Sequence, residues 1–504
     1  MRPWHDHLDP GDPTVAGVGA AEWRPTGAST LLELWSARWS AEPTAPLWCE
    51  AGRWWTAGEF DGATRRAAGR LRAAGLRPGQ RVVWSTDSSV AALVAHVGAL
   101  RAGLVVVPAN TAYTARELAH IVLDVRASAA VVGRPEQADW VRDAAVGPVV
   151  VTGPDLALPD GDPGPLDRSG PDDPALICFT SGTTGVPKGA VLRHRHLLAG
   201  VTSVTRAWRM SPEDRLVHCL PIFHAHGLVV GAYGTLTAGG SAVLLPGFDP
   251  GAVAGAVAEY DATLFFGVPT MYHRLVGSGR AGELAALRLC VSGSAPLPAE
   301  LHAAASEAIG SVVLERYGMT ETLMLTSNPY RGERRPGTVG FALPGVEVTL
   351  DPAGQVLVRG PNVFDGYFER PEANRAAFVD RGDGGGPWFA TGDLGADEDG
   401  YLVIRGRSTE LIISGGFNVY PTEVEDVLSG CPGVAEVAVT GTPSDEWGEV
   451  VTAWVVAEGA APTLEELRAH CAGTLAAYKQ PRRLRLVDRL PRNALGKVVR
   501  GQLG

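Results

Sequence analysis

The sequence predicts an α/β fold, with a large N-terminal domain of doubly wound α/β subdomains plus a β subdomain, followed by a small α+β C-terminal domain. Three observations lead there. From Thr30, helical stretches such as FDGATRRAAGRLRAAG alternate with short apolar runs, QRVVWST, GLVVVPA, SAAVVG and GPVVVTG. Apolar β-branched runs separated by helical patterns mark strands covered by crossover helices. After about Pro344 the character changes to short strands with turns, GVEVTLDPAGQVLVRG and DGYLVIRG. From about Arg407 a last unit combines strands VAEVAVTG and VVTAWVVAEG with helices PTEVEDVLSG and TLEELRAHCAGTL.

Taken in order, residues 1–28 are rich in Gly, Pro and Asp and are expected to form a loose tail. The first α/β run ends at 152–174, TGPDLALPDGDPGPLDRSGPDDP, an irregular surface connection by the same composition. The alternation resumes at ALICFT and continues through SAVLLP, ATLFFGVP and LRLCVSG. No internal repeat of 20–50 residues is present. The expected division is a tail 1–28, an N-terminal domain 29–406 and a C-terminal domain 407–504.

Composition narrows the class. The chain has 504 residues, 45% hydrophobic and 20% charged, enough to bury large cores and too apolar for disorder. Its net charge of −11, from 44 basic and 55 acidic residues, argues against a nucleic-acid backbone binder. The best apolar stretch, Ser89 to Val107, is broken by His96 and Arg101, so no membrane span is expected. The acidic start MRPWHDHLDPGDP lacks the apolar core of a secretory signal. The six cysteines lie far apart among apolar residues, which fits buried thiols in a reducing cytoplasm better than a zinc site or a disulfide framework. A cytoplasmic enzyme is the expected class. Lysine occurs only three times, at Lys188, Lys479 and Lys497. In so arginine-rich a chain, a retained lysine suggests a place that needs a compact ammonium.

The strongest local signal is Ile177 to Leu198, ICFTSGTTGVPKGAVLRHRHLL. Here a β run ends in Thr180-Ser181-Gly182-Thr183-Thr184-Gly185, with Lys188 just beyond. Hydroxyls and exposed N–H groups among glycines make a cradle for phosphate oxygens, and Lys188 adds a mobile positive charge. It is not the common P-loop, because Gly189 follows the lysine.

Five further motifs follow in order: SGSAPL (292–297), ERYGMTE (315–321), FATGDLG (389–395), GRSTELIISGGFNVYPTEVE (406–425) and PRNALGKVVR (491–500). Together with SGTTGVPKG they resemble the acyl-adenylate-forming superfamily of acyl-CoA synthetases, adenylation domains and luciferases, over essentially the whole chain. The resemblance implies two steps. A carboxylate attacks the α-phosphate of Mg·ATP, giving acyl-AMP and pyrophosphate; a thiol, usually that of CoA, then displaces AMP. It implies that Thr180, Ser181, Gly182, Thr183, Thr184, Gly185 and Lys188 hold the β/γ-phosphates. Ser294, Ala295 and Pro296 would border the adenine, with Tyr317 against its face. Asp393 would accept from the ribose hydroxyls, and Arg407 would approach ribose or phosphate from the domain junction. Thr320 would contact the α-phosphate and Glu321 would help hold Mg²⁺. Lys497 would bridge the acyl carboxylate and the α-phosphate, completing a catalytic set of Lys497, Thr320, Glu321 and His224.

The resemblance also makes the C-terminal domain mobile, with a hinge near Thr409, where relatives usually carry Asp or Lys. Gly415 and Gly416 would line the pantetheine tunnel. The acyl pocket would be walled by PIFHAHGL (221–228), by the residue before YGMTE and by residues just after it: His224, Ala225, His226, Arg316 and Met324. A guanidinium at 316 suits a substrate that brings a second carboxylate, and ERYGMTET with PIFHAHGL resembles the malonyl-CoA/methylmalonyl-CoA synthetases. Arg274 and Arg288 are the alternative carboxylate partners, and the basic run Arg482, Arg483, Arg485, Arg489 and Arg492 is either a CoA-nucleotide contact or a solvated face. Competing functions are a CoA ligase for a short monocarboxylate, a stand-alone adenylation enzyme loading a carrier protein, and a non-catalytic nucleotide sensor. The expected partners are small molecules: ATP, CoA and a small dicarboxylic acid, with neither nucleic acid nor membrane.

Overall fold

The computed structural model describes residues 1–8, 26–180, 187–414, 417–444, 447–493 and 497–503. Of the residues singled out above, Ser181, Gly182, Thr183, Thr184, Gly185, Gly415 and Gly416 lie outside the described residues.

Four sheets organise the described chain. The first has six strands in the spatial order Val150–Thr152, Ala129–Val132, Arg81–Ser85, Val105–Pro108, Pro174–Thr180 and Lys188–Arg193. All pairs are parallel except the last, in which Pro174–Thr180 and Lys188–Arg193 run antiparallel. The runs AAVV and VVVP are buried at every position, as strands covered on both faces must be. Helix starts follow the local chemistry: Thr56 and Glu59 form a reciprocal cap on Ala57–Ala73, and Thr114 and Glu117 do so on Ala115–Asp124.

The second sheet has nine strands and draws on distant parts of the sequence. Leu289–Ser292, Leu264–Gly267, Arg215–His218, Ser241–Leu244 and Pro46–Glu50 run parallel across its middle. At one edge Leu314–Met319 turns back on Leu323–Ser327 as an antiparallel hairpin. A third, antiparallel sheet follows Pro344, built from Glu347–Leu350, Gln355–Arg359, Phe378–Val379, Trp388–Glu398 and Tyr401–Arg407. The fourth sheet begins at Ile412–Ser414 and carries helices Pro421–Ser429 and Leu464–Cys471 over a core of Ile412, Val424, Leu428, Val439, Val451 and Leu467.

Two regions differ from expectation. The connection 153–173 has no regular element, yet it is pinned: Leu156 is buried, Arg70 pairs with Asp160 at 2.8 Å and buried Arg101 with Asp167 at 3.0 Å. The first residues are also held rather than loose. Trp4–His7 is one short 3₁₀ turn, His7 stacks on Phe341 at 4.1 Å, and Arg2 lies over Phe341 and Tyr401. Burial lowers the His7 pKa to about 4, so this ring packs as a neutral group. All six cysteines are free and five are buried. Among the described residues no helix is long and apolar enough to cross a membrane.

Candidate active site

The hairpin Leu314–Met319/Leu323–Ser327 supplies most of the site. Side chains alternate along a strand, so Glu315 and Tyr317 point one way and Arg316 the other. The tight crossing depends on Gly318, where a Cβ would stand 2.0 Å from the Leu323 carbonyl oxygen. In the turn lie Thr320, half-buried, and Glu321, which is 5% exposed. The Tyr367 hydroxyl donates to Glu321 Oε1 at 3.0 Å, and Thr180, at the end of its strand, hydrogen-bonds the same carboxylate. Burial raises the Glu321 pKa. Lys188 pairs in register with Thr180, and its ammonium lies 5.4 Å from the centre of the Tyr367 ring. The phosphate-loop strand ends, the hairpin turn and Tyr367 thus converge.

Beside them stands Asp393, 5% exposed, on Trp388–Glu398. Its Oδ2 accepts from the Tyr317 hydroxyl at 2.5 Å and its Oδ1 pairs with Arg407 Nε at 2.7 Å. Lys497 comes to the same place from the far end of the chain. Its pKa is lowered by burial and by Arg407, with Glu410 and Asp393 opposing. Its backbone is fixed by a reciprocal pair with Asn493: N–H to Oδ1 at 3.0 Å, and Asn493 N–H to the Lys497 carbonyl at 2.8 Å. Arg500, three residues on, ties this segment to Glu410 at 2.9 Å and Glu425 at 2.6 Å. Thr409 lies in the one-turn helix Ser408–Glu410 between the third and fourth sheets.

On the opposite face of the hairpin, Arg316 is 5% exposed and lies across Gly293, where an added Cβ would meet Cζ at 2.3 Å. Its Nη2 donates to Ser294 Oγ at 3.4 Å, its Nε has no partner, and no carboxylate among the described residues pairs with it. Burial alone lowers its pKa to about 9. Glu315 is not its partner; that carboxyl accepts from the Gly337 N–H at 3.2 Å and is pushed up to about 7 by burial. Ser294 takes the left-handed conformation (φ +71°), and its hydroxyl also meets His226 Nδ1 at 3.3 Å. Ser294, expected at the adenine, is therefore engaged on the Arg316 side; Ala295 is half-buried and Pro296 exposed beside it.

His226 opens a π-helical segment, His226–Tyr233, a rare geometry often found at functional sites. Both His224 and His226 have an unpartnered, buried Nε2, and burial holds them neutral, His224 with a pKa of about 4. Ala225 is half-buried between them and Met324 is buried in the hairpin. The alternative arginines are elsewhere. Arg288 is committed to Asp214 at 2.5 Å and to the Trp208 carbonyl, and Arg274 is exposed over Phe248. In the basic run, Arg482 stacks on Trp447 at 3.8 Å, Arg483 donates to Thr442 and the Pro443 carbonyl, and Arg492 pairs with Glu436. Lys479 pairs with Glu423 at 2.5 Å.

Sequence reading missed Tyr367 and Glu410. Glu410 lies inside the 406–425 motif, which gives it no role; Tyr367 lies outside every motif and is marked only by the small residue before it, Gly366 (φ +148°), packed on Asn374. Among the described residues no cluster of three His, Cys, Asp or Glu side chains forms a metal cage. A single buried carboxylate with a neighbouring hydroxyl fits Mg²⁺ that arrives with the nucleotide, since this ion keeps phosphate and water ligands.

Residues 33–368 match the AMP-binding enzyme family and residues 423–497 its C-terminal domain. The chain belongs to the AMP-binding enzyme family. Within it, the chain is an ATP-dependent, AMP-forming acyl-CoA ligase, as its relatives indicate. It is 37% identical to a feruloyl-CoA synthase of an Amycolatopsis species, covering 89% of this chain and 93% of that one. It is 35% identical to a sulfoacetate–CoA ligase of Cupriavidus necator (94% and 97%) and to a mitochondrial malonate–CoA ligase of Mus musculus (84% and 81%). Among solved structures, ATP-bound MatB from Rhodopseudomonas palustris is 41% identical, with a TM-score of 0.87 over 94% of this chain and 98% of that one.

Proposed function

We propose that this ligase activates a small dicarboxylic acid, malonate or methylmalonate, as its CoA thioester. The observation that carries this reading is Arg316: a buried guanidinium beside the Ser294 hydroxyl, with its Nε unpartnered. A cation so placed asks for an anion from the substrate, because an unpaired buried charge is costly. Neutral His226 lies beside it, with neutral His224 next to His226, and each imidazole carries one N–H without adding charge repulsion. In this reading Ala225 and Met324 set the size limit of the acyl site, the small alanine tolerating an α-methyl group. Relatives that act on malonate and sulfoacetate, each with an anionic group beyond the reacting carboxylate, support the reading; a feruloyl relative supports the monocarboxylate alternative.

In this reading the proximal carboxylate oxygen attacks the α-phosphorus and pyrophosphate leaves. Lys188, with the loop 180–185, holds the β/γ-phosphates, and Thr320 contacts the α-phosphate. Glu321 holds Mg²⁺, which neutralises phosphate oxygens when bound. Lys497 offsets the charge that develops between carboxylate and α-phosphate. Asp393 takes the ribose hydroxyls, each of its oxygens keeping a lone pair beside its bond to Tyr317 or Arg407. Tyr317, with Ala295 and Pro296, flanks the adenine. After rotation of the C-terminal domain about Thr409, the CoA thiol enters past Gly415 and Gly416, attacks the acyl carbonyl and expels AMP.

The test is a panel of acids assayed for AMP release on addition of CoA alone. Malonate and methylmalonate should exceed propionate, butyrate and ferulate in kcat/KM. A preference for a monocarboxylate would reassign Arg316 to a structural role, and a requirement for a carrier protein would replace CoA as acceptor.

A further inference from the structure

Tyr367 touches two groups that serve the triphosphate in the reading above, the metal-holding Glu321 and the phosphate-holding Lys188, and no motif accounts for it. Its hydroxyl donates to Glu321 Oε1 at 3.0 Å, and its ring carries the Lys188 ammonium at 5.4 Å. Its own position is fixed from several sides. The Asn374 amide clamps its backbone, accepting from the Tyr367 N–H at 2.6 Å and donating to its carbonyl at 3.1 Å. Tyr367 bridges Ala190 on the strand that leaves the phosphate loop, and the flanking bonds Val191 N–H to Gly366 and Phe368 N–H to Gly189 extend that register. Phe364 packs edge-on against its ring at 4.9 Å, and the Phe364 N–H donates to the Glu321 backbone carbonyl at 2.9 Å.

We propose that Tyr367 is a positioning residue for the metal–triphosphate site, holding the Glu321 carboxylate with its hydroxyl and the Lys188 ammonium with its ring face. The chemistry favours an aromatic partner for this lysine. Lys188 makes no ion pair among the described residues, whereas Lys479 is neutralised by Glu423. A carboxylate beside Lys188 would cancel the charge that phosphate needs. A ring face attracts the ammonium while leaving its N–H donors free for phosphate oxygens. The hydroxyl does the complementary task for Glu321: one donor fixes the carboxylate's orientation and leaves lone pairs for a cation, as outer-shell partners of metal ligands do. Because both functions sit on one rigid side chain, the spacing of anion and cation is set before nucleotide arrives.

The proposal rests on reading Glu321 as the metal ligand and Lys188 as a phosphate ligand, and its test separates the three assignments. Mn²⁺ binding to the enzyme with α,β-methylene-ATP is followed by electron paramagnetic resonance. Metal-free ATP (in EDTA) and AMP are titrated by calorimetry. Tyr367→Phe, which keeps the ring, should weaken Mn²⁺ by about 10- to 100-fold and leave metal-free ATP and AMP unchanged. Tyr367→Leu should in addition weaken metal-free ATP by about 2- to 30-fold, the span of a cation–π contact. Wild-type Mn²⁺ affinity in Tyr367→Phe overturns the proposal, provided Glu321→Gln has lost it; if Glu321→Gln also keeps it, the metal assignment itself falls. Equal metal-free ATP affinity in the Phe and Leu variants overturns the Lys188 half. A loss of AMP affinity in Tyr367→Phe marks a merely structural tyrosine and overturns the whole.

Discussion

Arg316 and Glu315 are neighbours on one strand, both buried, both shifted toward their neutral forms, and yet they do not pair. The strand's alternation sends them to opposite faces, so each environment can be tested alone. For Arg316, removing one partner of a buried charge pair costs roughly 2–5 kcal/mol, or about 30- to 4,000-fold. Arg316→Met should lower kcat/KM for malonate by that order, chiefly through binding, while propionate or butyrate activity holds or rises. Intact malonate activity would remove Arg316 from the substrate, and equal loss on all acids would mark damage to the fold. For Glu315, burial lifts the carboxyl to about 7 from an ordinary 4.5. The folded state therefore keeps a proton that the unfolded chain releases, so this stability is present below pH 4.5 and lost as pH rises through 7. The full difference is about 3 kcal/mol. Neutral buried histidines such as His7 and His224 slope the other way over the same window. The wild type should thus be compared with Glu315→Gln in denaturant unfolding: the glutamine variant should gain relative stability steadily from pH 5 to 7.5. A pH-independent difference would mean that Glu315 ionises freely.

Elements were legible where the signal is local. The apolar runs of the first sheet and the turn-rich strands after Pro344 follow from periodicity and turn chemistry within short windows, whereas the strand Lys188–Arg193 shows only in its pairing with Pro174–Thr180. Long-range pairing was not: nothing near Pro46–Glu50 announces that it lies between Ser241–Leu244 and Arg53–Thr56. Nor does local composition reveal that Met1–Leu8 docks on Phe341 and Tyr401, hundreds of residues away. In the site, most residues inside recurrent motifs could be singled out as candidates, whereas Tyr367, the ion pair of Glu410 with Arg500 and the Arg316-facing hydroxyl of Ser294 required the fold. The 314–327 hairpin shows what an element contributes beyond its side chains. Gly318→Ala would drive a methyl into the Leu323 carbonyl and the Met324 Cα, and overpacking of this kind costs about 1–3 kcal/mol. The chain should still fold, because this is one crossing at a sheet edge. Displacing Tyr317, Thr320 and Glu321 by about 1 Å should lower ATP–pyrophosphate exchange by roughly 10²-fold. Exchange near the wild-type rate would show that the hairpin tolerates the shift.

At the scale of the molecule, the arrangement brings Lys497 from the C-terminal segment to Asp393 and Arg407 of the third sheet, and anchors it through Arg500 to Glu410 and Glu425. Both anchors, Glu410 and Glu425, lie beyond the Tyr401–Arg407 strand, so the rotation about Thr409 proposed above would carry the lysine, Arg500 and both acids together without breaking their own pairs. Such a rotation gives up the electrostatic interactions of Lys497 with Asp393 and Arg407 and the bond from the Thr422 hydroxyl to the Arg405 carbonyl, while Asp393 and Arg407 stay together on the third sheet. That architecture suits a reaction in which one half needs the lysine and the other needs it gone. Lys497→Ala should therefore depress formation of acyl-AMP by about 10²–10³-fold, the usual loss for a preorganised charge at a transition state. Thioester formation from supplied malonyl-AMP and CoA should be largely kept. Arginine should not rescue the first half-reaction, since a planar guanidinium cannot replace a compact ammonium between two oxyanions. The measurement is single-turnover kinetics of each half-reaction on the same preparation. Equal loss in both halves would make Lys497 a structural residue of the joined state, and the separation of roles between the two halves of the chain would fall with it.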